Sequence, residues 1–219
     1  MKKGEIKTIA LSMGMLVVLS GCSMKKSSNV SNNAKLPSNS VKANQSPSYN
    51  SSVSEQTPGS VKIQYNLSSI PKIASNQVAV WIEDPQGKYI KSIYASKFTA
   101  TGGYKQRSEA LTEWVKKSTW KNATKNEIDT VSGATQSPGN INLTWNCTDE
   151  KGTAVKQGKY IYVVEGNIYW GSRVLYKGEI QVGESTNTST AKASYVNKDS
   201  KNNDTLLKNV SAEFTPKHN

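Results

Sequence analysis

A chain of 219 residues with a formal net charge of +12 contains two cysteines and one histidine. Those counts exclude several chemistries: once Cys22 is taken by the N-terminal signal, Cys147 has no partner for an internal disulfide, and a lone histidine in the tail, His218, argues against Cys-His catalysis and a histidine-based metal site. The basic charge favours anionic surroundings such as phospholipid or wall polymers, but the lysines are scattered and no recognition motif accompanies them, so a solubilising surface is expected and nucleic acid is not.

At the N-terminus Lys2, Lys3 and Lys7 precede an apolar core from about Ile9 to Leu19, and Leu19-Ser20-Gly21-Cys22 follows. This is the pattern of a lipoprotein signal peptide over residues 1–21, in which small residues fit the cleavage pocket and the Cys22 thiol accepts diacylglycerol. The apolar run falls short of the roughly 20 residues that a spanning helix needs. The mature chain is therefore expected to begin at Cys22, anchored in the lipid bilayer on the extracytoplasmic face. Removing residues 1–21 takes three lysines and Glu5 with it and lowers the net charge from +12 to +10. Residues 22–59 are a linker of Ser, Asn, Lys and Pro with scarcely an apolar cluster, too little to offset ordering entropy, and read as a disordered tether.

The folded domain is expected over residues 60–216, with 217–219 a tail. Ser60 to Leu67 alternates polar and apolar residues, as a half-buried strand does. Pro71 breaks it. Gln77 to Glu83 and Lys88 to Ala95 form a hairpin around the turn Asp84-Pro85-Gln86-Gly87. Arg107 to Lys117 carries Leu111, Trp114 and Val115 at helical spacing, with Ser108 as cap and Lys116 and Lys117 suited to the C-terminal end of the dipole. After a polar loop come Asp129-Thr130-Val131-Ser132-Gly133-Ala134-Thr135, then strands over Ile141 to Trp145, Tyr160 to Trp170 and Arg173 to Val182, the last two a hairpin around Gly171. Thr188 to Val196 and Leu206 to Phe214 read as closing strands joined by Asn197 to Asp204, with Val210, Ala212 and Phe214 at an edge and Pro216 ending the fold. The fold class is all-β: a β-sandwich with one short helix.

The Asp129 to Thr135 stretch is the best candidate for chemistry. Its small residues Ser132, Gly133 and Ala134 permit a tight turn and keep bulk away from the Thr135 hydroxyl, and Asp129 is placed to hydrogen-bond nearby amides. It resembles the flavin-attachment motif, Asp-x-x-Ser/Thr-Gly-Ala-Thr, of FMN-binding domains in the sodium-pumping quinone reductase and Rnf complexes. Thr130 stands where Gly or Ala is more usual. The resemblance implies that FMN is joined through its phosphate to Thr135 by a magnesium-dependent FMN transferase that uses FAD. Trp114 and Trp120 are then candidates to stack on the isoalloxazine ring.

A second resemblance lies in Trp145-x3-Asp149-x2-Gly152-x2-Val155-x2-Gly158-x-Tyr160, which is similar to the immunoglobulin-like domain of the flagellar hook-capping protein. That likeness implies an immunoglobulin-like sandwich in which a polar glycine turn joins adjacent strands and the aromatics pack inside. Together with Val80-Trp81-Ile82-Glu83-Asp84, Glu165 and Phe214-Thr215-Pro216, these segments resemble a bacterial exported family, domain of unknown function twenty-two seventy-one. Asn146-Cys147 stands where that family commonly has Asp-Gly. The family tends to accompany flavin-transfer and membrane electron-transfer components.

Two functions follow. One is a membrane-anchored carrier of covalent FMN passing electrons between a membrane redox partner and an extracellular acceptor, the cofactor supplying the redox chemistry. The other is a non-catalytic surface binding or scaffold module that uses loops at a sandwich end. No catalytic residue of its own is assigned: a Gly-x-Ser-x-Gly elbow, a usable histidine and a convincing carboxylate pair are all missing. Cys147, beside a turn, reads as an inert thiol, and Asp149 with Glu150 as turn chemistry in place of a metal site.

Overall fold

Alternation sets the first strand. In β1 (Gly59–Leu67) Val61, Ile63, Tyr65 and Leu67 are buried while Lys62, Gln64 and Asn66 face outward, each buried apolar side chain contributing about 1.5–3 kcal/mol. The computed structural model describes residues 57–69, 76–167, 172–196 and 206–217. Cys22 and the signal segment, most of the tether, Pro71, Trp170 with Gly171, the loop Asn197 to Asp204 and His218 lie outside them.

The remaining strands are β2 (Gln77–Glu83), β3 (Tyr89–Ser96), β4 (Ser132–Gly133), β5 (Gly139–Trp145), β6 (Gly158–Asn167), β7 (Arg173–Val182), β8 (Asn187–Thr190), β9 (Lys192–Tyr195) and β10 (Leu207–Pro216). They form two sheets, ordered β5-β1-β10-β8 and β4-β3-β2-β6-β7-β9. All pairings are antiparallel except the short parallel β3–β4 contact. One core cluster joins both sheets, with Val61, Ile63 and Phe214 from the first facing Val80, Tyr162 and Ile180 from the second. The protein is thus an all-β sandwich.

The six-stranded sheet is buried on both sides at β2 and the second half of β6, and open on its outer face at β7 and β9. Every residue of β2 is buried: Val78, Val80 and Ile82 enter the inter-sheet core, whereas Ala79 and Trp81 join a second cluster with Val163, Leu111, Trp114 and Trp120. That second cluster belongs to a layer of short helices, α1 (Lys97–Ala100), α2 (Thr112–Lys117) and α3 (Lys125–Val131), with two 3-10 turns between them. The expected helix is therefore present as α2, flanked by two others.

The β2–β3 hairpin is closed by side-chain chemistry the sequence announces. Asp84 Oδ1 accepts the N–H groups of Gln86 and Lys88 at 2.9 and 2.8 Å, and Gly87 supplies φ +79°. Asp84→Ala is expected to lower stability by about 1 kcal/mol, read from the urea midpoint, because both amides lose their acceptor at an exposed site.

Several expectations change. The helix starts at Thr112, and Ser108 does not cap it; Leu111, at φ +51°, precedes it. The predicted strand over Thr188 to Val196 is split at Ala191, since β8 pairs with β10 in one sheet and β9 with β7 in the other. Ala191 is small enough to be buried at that switch, where its N–H donates to Val210. β10 is not an edge: it lies between β1 and β8, paired with β1 from Gly59↔Pro216 to Leu67↔Leu207 with one register shift between Gln64 and Asn66. The connection around Asp149 does not join neighbours within a sheet; it carries the chain from β5 in one sheet to β6 in the other. Its aromatics do pack inside, Trp145 and Tyr160 meeting edge to face at 5.2 Å.

Candidate functional site

The helix leading into the motif is set by local signals. Thr124 and Glu127 form a reciprocal capping box at its start, which holds the Glu127 carboxyl below its usual range through the bonds from Thr124. Ile128 and Val131 pack on the helical-layer core. Asp129 lies in the last turn, exposed, and among the described residues no hydrogen bond ties its carboxylate to the loop. The expected amide-holding role of Asp129 is not met, because the residue points outward from a helix. A carboxylate at a helix C-terminus also opposes the macrodipole, so helix stability does not explain it.

Beyond α3 the chain does not turn tightly but extends. Ser132 and Gly133 pair with Ala95 and Ser96 as β4. Gly133 is required for space: a Cβ there would lie 2.4 Å from the Tyr94 ring. The Tyr94 hydroxyl donates to the Ala134 carbonyl at 2.7 Å, and the Tyr65 hydroxyl donates to Gln136 Oε1 at 2.6 Å. Thr135 sits between these two fastenings, exposed. The segment then crosses to the other sheet, where Gly139 pairs with Leu67 and Ile141 with Tyr65. Burial raises the pKa of both tyrosines, so they remain neutral donors through the physiological range.

The structure thus brings Ser132, Gly133, Ala134 and Thr135 together as one strand-like run anchored by two tyrosines. The tyrosines were not foreseen as partners. Their signal was an inward-facing phenol on β1 and another on β3, since a buried Tyr hydroxyl usually needs a partner.

Trp114 and Trp120 are elsewhere and otherwise engaged. Trp114 is fully buried and Trp120 only 5 % exposed; their rings meet at 4.5 Å and 42°. Their Nε1–H groups donate to Ser92 Oγ at 2.7 Å and to the Ala100 carbonyl at 2.9 Å. The expected flavin-stacking role is therefore corrected: packing in the helical-layer core leaves neither ring a face for a flavin.

Two acids hold α2 on the sheet. Glu165, fully buried on β6, accepts the N–H groups of Trp114 and Glu113 at 2.8 and 3.3 Å at the start of α2, with Arg173 Nε 3.6 Å away. It does for the helix what Ser108 was expected to do. Desolvation nevertheless raises its pKa to about 7, outweighing those donors and Arg173. At the other end Lys117 donates to the Gly87 carbonyl at 2.6 Å and pairs at 3.4 Å with buried Glu83, which also accepts from Trp81 and meets Lys177. An acid at each of these positions, inside strands buried on both faces, was the sequence signal for both clamps. Cys147 is buried and its thiol pushed up to about 12 by that burial, as suits an inert side chain.

These features define a two-sheet sandwich, covered on one sheet by short helices, that exposes a threonine on a run held from both sides. The chain belongs to the family described as "Predicted periplasmic protein (DUF2271)", whose model matches residues 59–198. That is the description of an extracytoplasmic protein. The match begins at the first residue of β1 and stops before β10, the strand that pairs with β1. No curated protein and no solved structure matches the chain.

Proposed function

We propose that this chain is an extracytoplasmic lipoprotein, anchored through Cys22, that carries FMN covalently on Thr135 for membrane-associated or extracellular electron transfer. The observation that carries the reading is the exposure of Thr135 on a segment whose neighbours on both sides are fastened. A bulky group joined to Oγ1 there requires no unfolding of the sandwich. The acceptor position therefore fits FMN.

Thr135 is the group that reacts during loading. Its Oγ1 attacks the flavin-side phosphorus of FAD on the FMN transferase, AMP leaves, and the hydroxyl proton passes to the transferase. Gly133 lets the run lie flat against Tyr94, Ser132 pairs with β3, and Ala134 leaves the hydroxyl unobstructed. Bound FMN would supply one- and two-electron chemistry.

The test is co-expression with an FMN transferase in the export compartment, followed by a denaturing gel read for flavin fluorescence and by intact mass. An FMN-sized addition is expected in the parent and absent from Thr135→Ala, which should fold normally because the replaced side chain is exposed. No addition, with the transferase shown active on another substrate, leaves the non-catalytic binding or scaffold module. In the same preparations Cys22→Ser is expected to move the protein from the membrane to the soluble fraction, since the acyl chains contribute about 0.8 kcal/mol per buried methylene. Retention of Cys22→Ser on washed membranes counts against the anchor.

A further inference from the structure

The helical layer contains a groove of about 760 Å³, within the range of small-molecule sites. Three segments frame it, the 3-10 turn Gly103–Lys105, helix α2 and the 3-10 turn Trp120–Asn122, and Ser108, Ala110 and Thr119 between them complete the lining. One face of α2 supplies one wall, since Thr112 is followed by Val115 and Lys116 three and four residues later, with Thr119 just beyond the helix end. The opposite stripe, with Trp114 and Lys117, is spent on the sheet.

The floor is apolar. Ala110 and Val115 are buried beneath it and the half-buried ring of Tyr104 stands beside them. The rim is cationic: Lys105, Lys116 and Lys121, one from each segment, are exposed around it. None of the three has an ion-pair partner among the described residues, in contrast to Lys117, which pairs with Glu83 on the other side of the same helix. No acidic residue lines the groove. Three ammonium groups around one concavity repel one another, and an anion seated among them relieves that repulsion.

We propose that this groove binds an aromatic organic anion, its ring on the Ala110, Val115 and Tyr104 floor and its acidic groups among Lys105, Lys116 and Lys121. The hydroxyls of Ser108 and Thr112 offer hydrogen bonds at the wall. The site is made of different residues from the Thr135 run and does not depend on flavin attachment. Sulfonated or carboxylated quinones and free flavin phosphates belong to the class; neutral sugars and cations do not.

The probe is anthraquinone-2,6-disulfonate, titrated calorimetrically into the full-length protein at low salt. Saturable one-to-one binding is expected, weakened about tenfold or more when Lys105, Lys116 and Lys121 are all replaced by glutamine. A control with glutamine at Lys62, Lys192 and Lys208, exposed lysines on strands, is expected to bind nearly as the parent. All six positions are exposed, so both variants should fold. The proposal is overturned by no saturation up to about 1 mM, by equal loss in the control, which means diffuse attraction, or by inorganic sulfate competing at equal concentration, which means charge alone is read.

Discussion

Glu165→Ala is expected to lower stability by about 3–5 kcal/mol, the largest effect of any side-chain truncation outside the apolar core. The carboxylate is fully buried and accepts two amides at the start of α2, with Arg173 nearby. Removing it orphans the two amides, that of Trp114 in a buried position. Glu165→Gln separates charge from shape. In the unfolded chain the carboxyl titrates near 4.5, whereas in the fold it titrates near 7. Between those values the folded protein holds the extra proton, so stability falls as pH rises through the window, by roughly 3 kcal/mol in all. The glutamine variant is expected to lack that fall. Urea midpoints from pH 4.5 to 8 check it, and parallel pH profiles for parent and Glu165→Gln would rule out the raised titration.

Gly133→Val is the second. Any Cβ at this position meets the Tyr94 ring at 2.4 and 2.9 Å, closer than real contacts come. The ring cannot swing aside freely, because its hydroxyl holds the Ala134 carbonyl. Overpacking of this kind costs about 1–3 kcal/mol, and here it should be local, detaching β4 from β3. Amide exchange is expected to accelerate over residues 132–136 while the inter-sheet core stays protected. In co-expression with the transferase, Gly133→Val should lose much of its FMN loading although Thr135 is intact. Tyr94→Phe, which keeps the ring and removes the hydroxyl that holds the Ala134 carbonyl, should cost about 1 kcal/mol and lose less. Unchanged exchange in Gly133→Val would show that the run is not seated as described.

Much of the fold was legible where a local rule governs it. The alternation in β1, the Asp84 to Gly87 turn and the paired runs of β6 and β7 each carry their own signature: β1 and β7 appear within a residue of their expected bounds and β6 begins two residues early, its expected end at Trp170 lying outside the described residues. What was not legible depends on partners distant in sequence. Nothing near Ala191 says that the strand changes sheets there; that follows from β8 finding β10 while β9 finds β7. Nothing near Thr112 says that its helix is capped by a carboxylate more than fifty residues later. At the site, the sequence pointed to Thr135 and to the need for a small residue at 133. It attributed that need to a turn, whereas the cause is the ring of Tyr94. Trp114 and Trp120 misled because an aromatic near a motif looks the same in sequence whether its ring is offered to a ligand or shut inside a core.

The register of β1 has a mechanical consequence. Gly59 pairs with Pro216 and Lys217 returns a hydrogen bond to Pro58, so both ends of the described domain leave from one pole. Leu67, at the opposite end of the same strand, pairs with Gly139, just after the crossover that bears Thr135. Nine residues of extended chain separate those poles, a distance of about 25 Å. Cargo on position 135 would therefore ride at the pole away from both ends of the described domain, about the length of one strand from the point where any pull on its N-terminal side enters the sandwich.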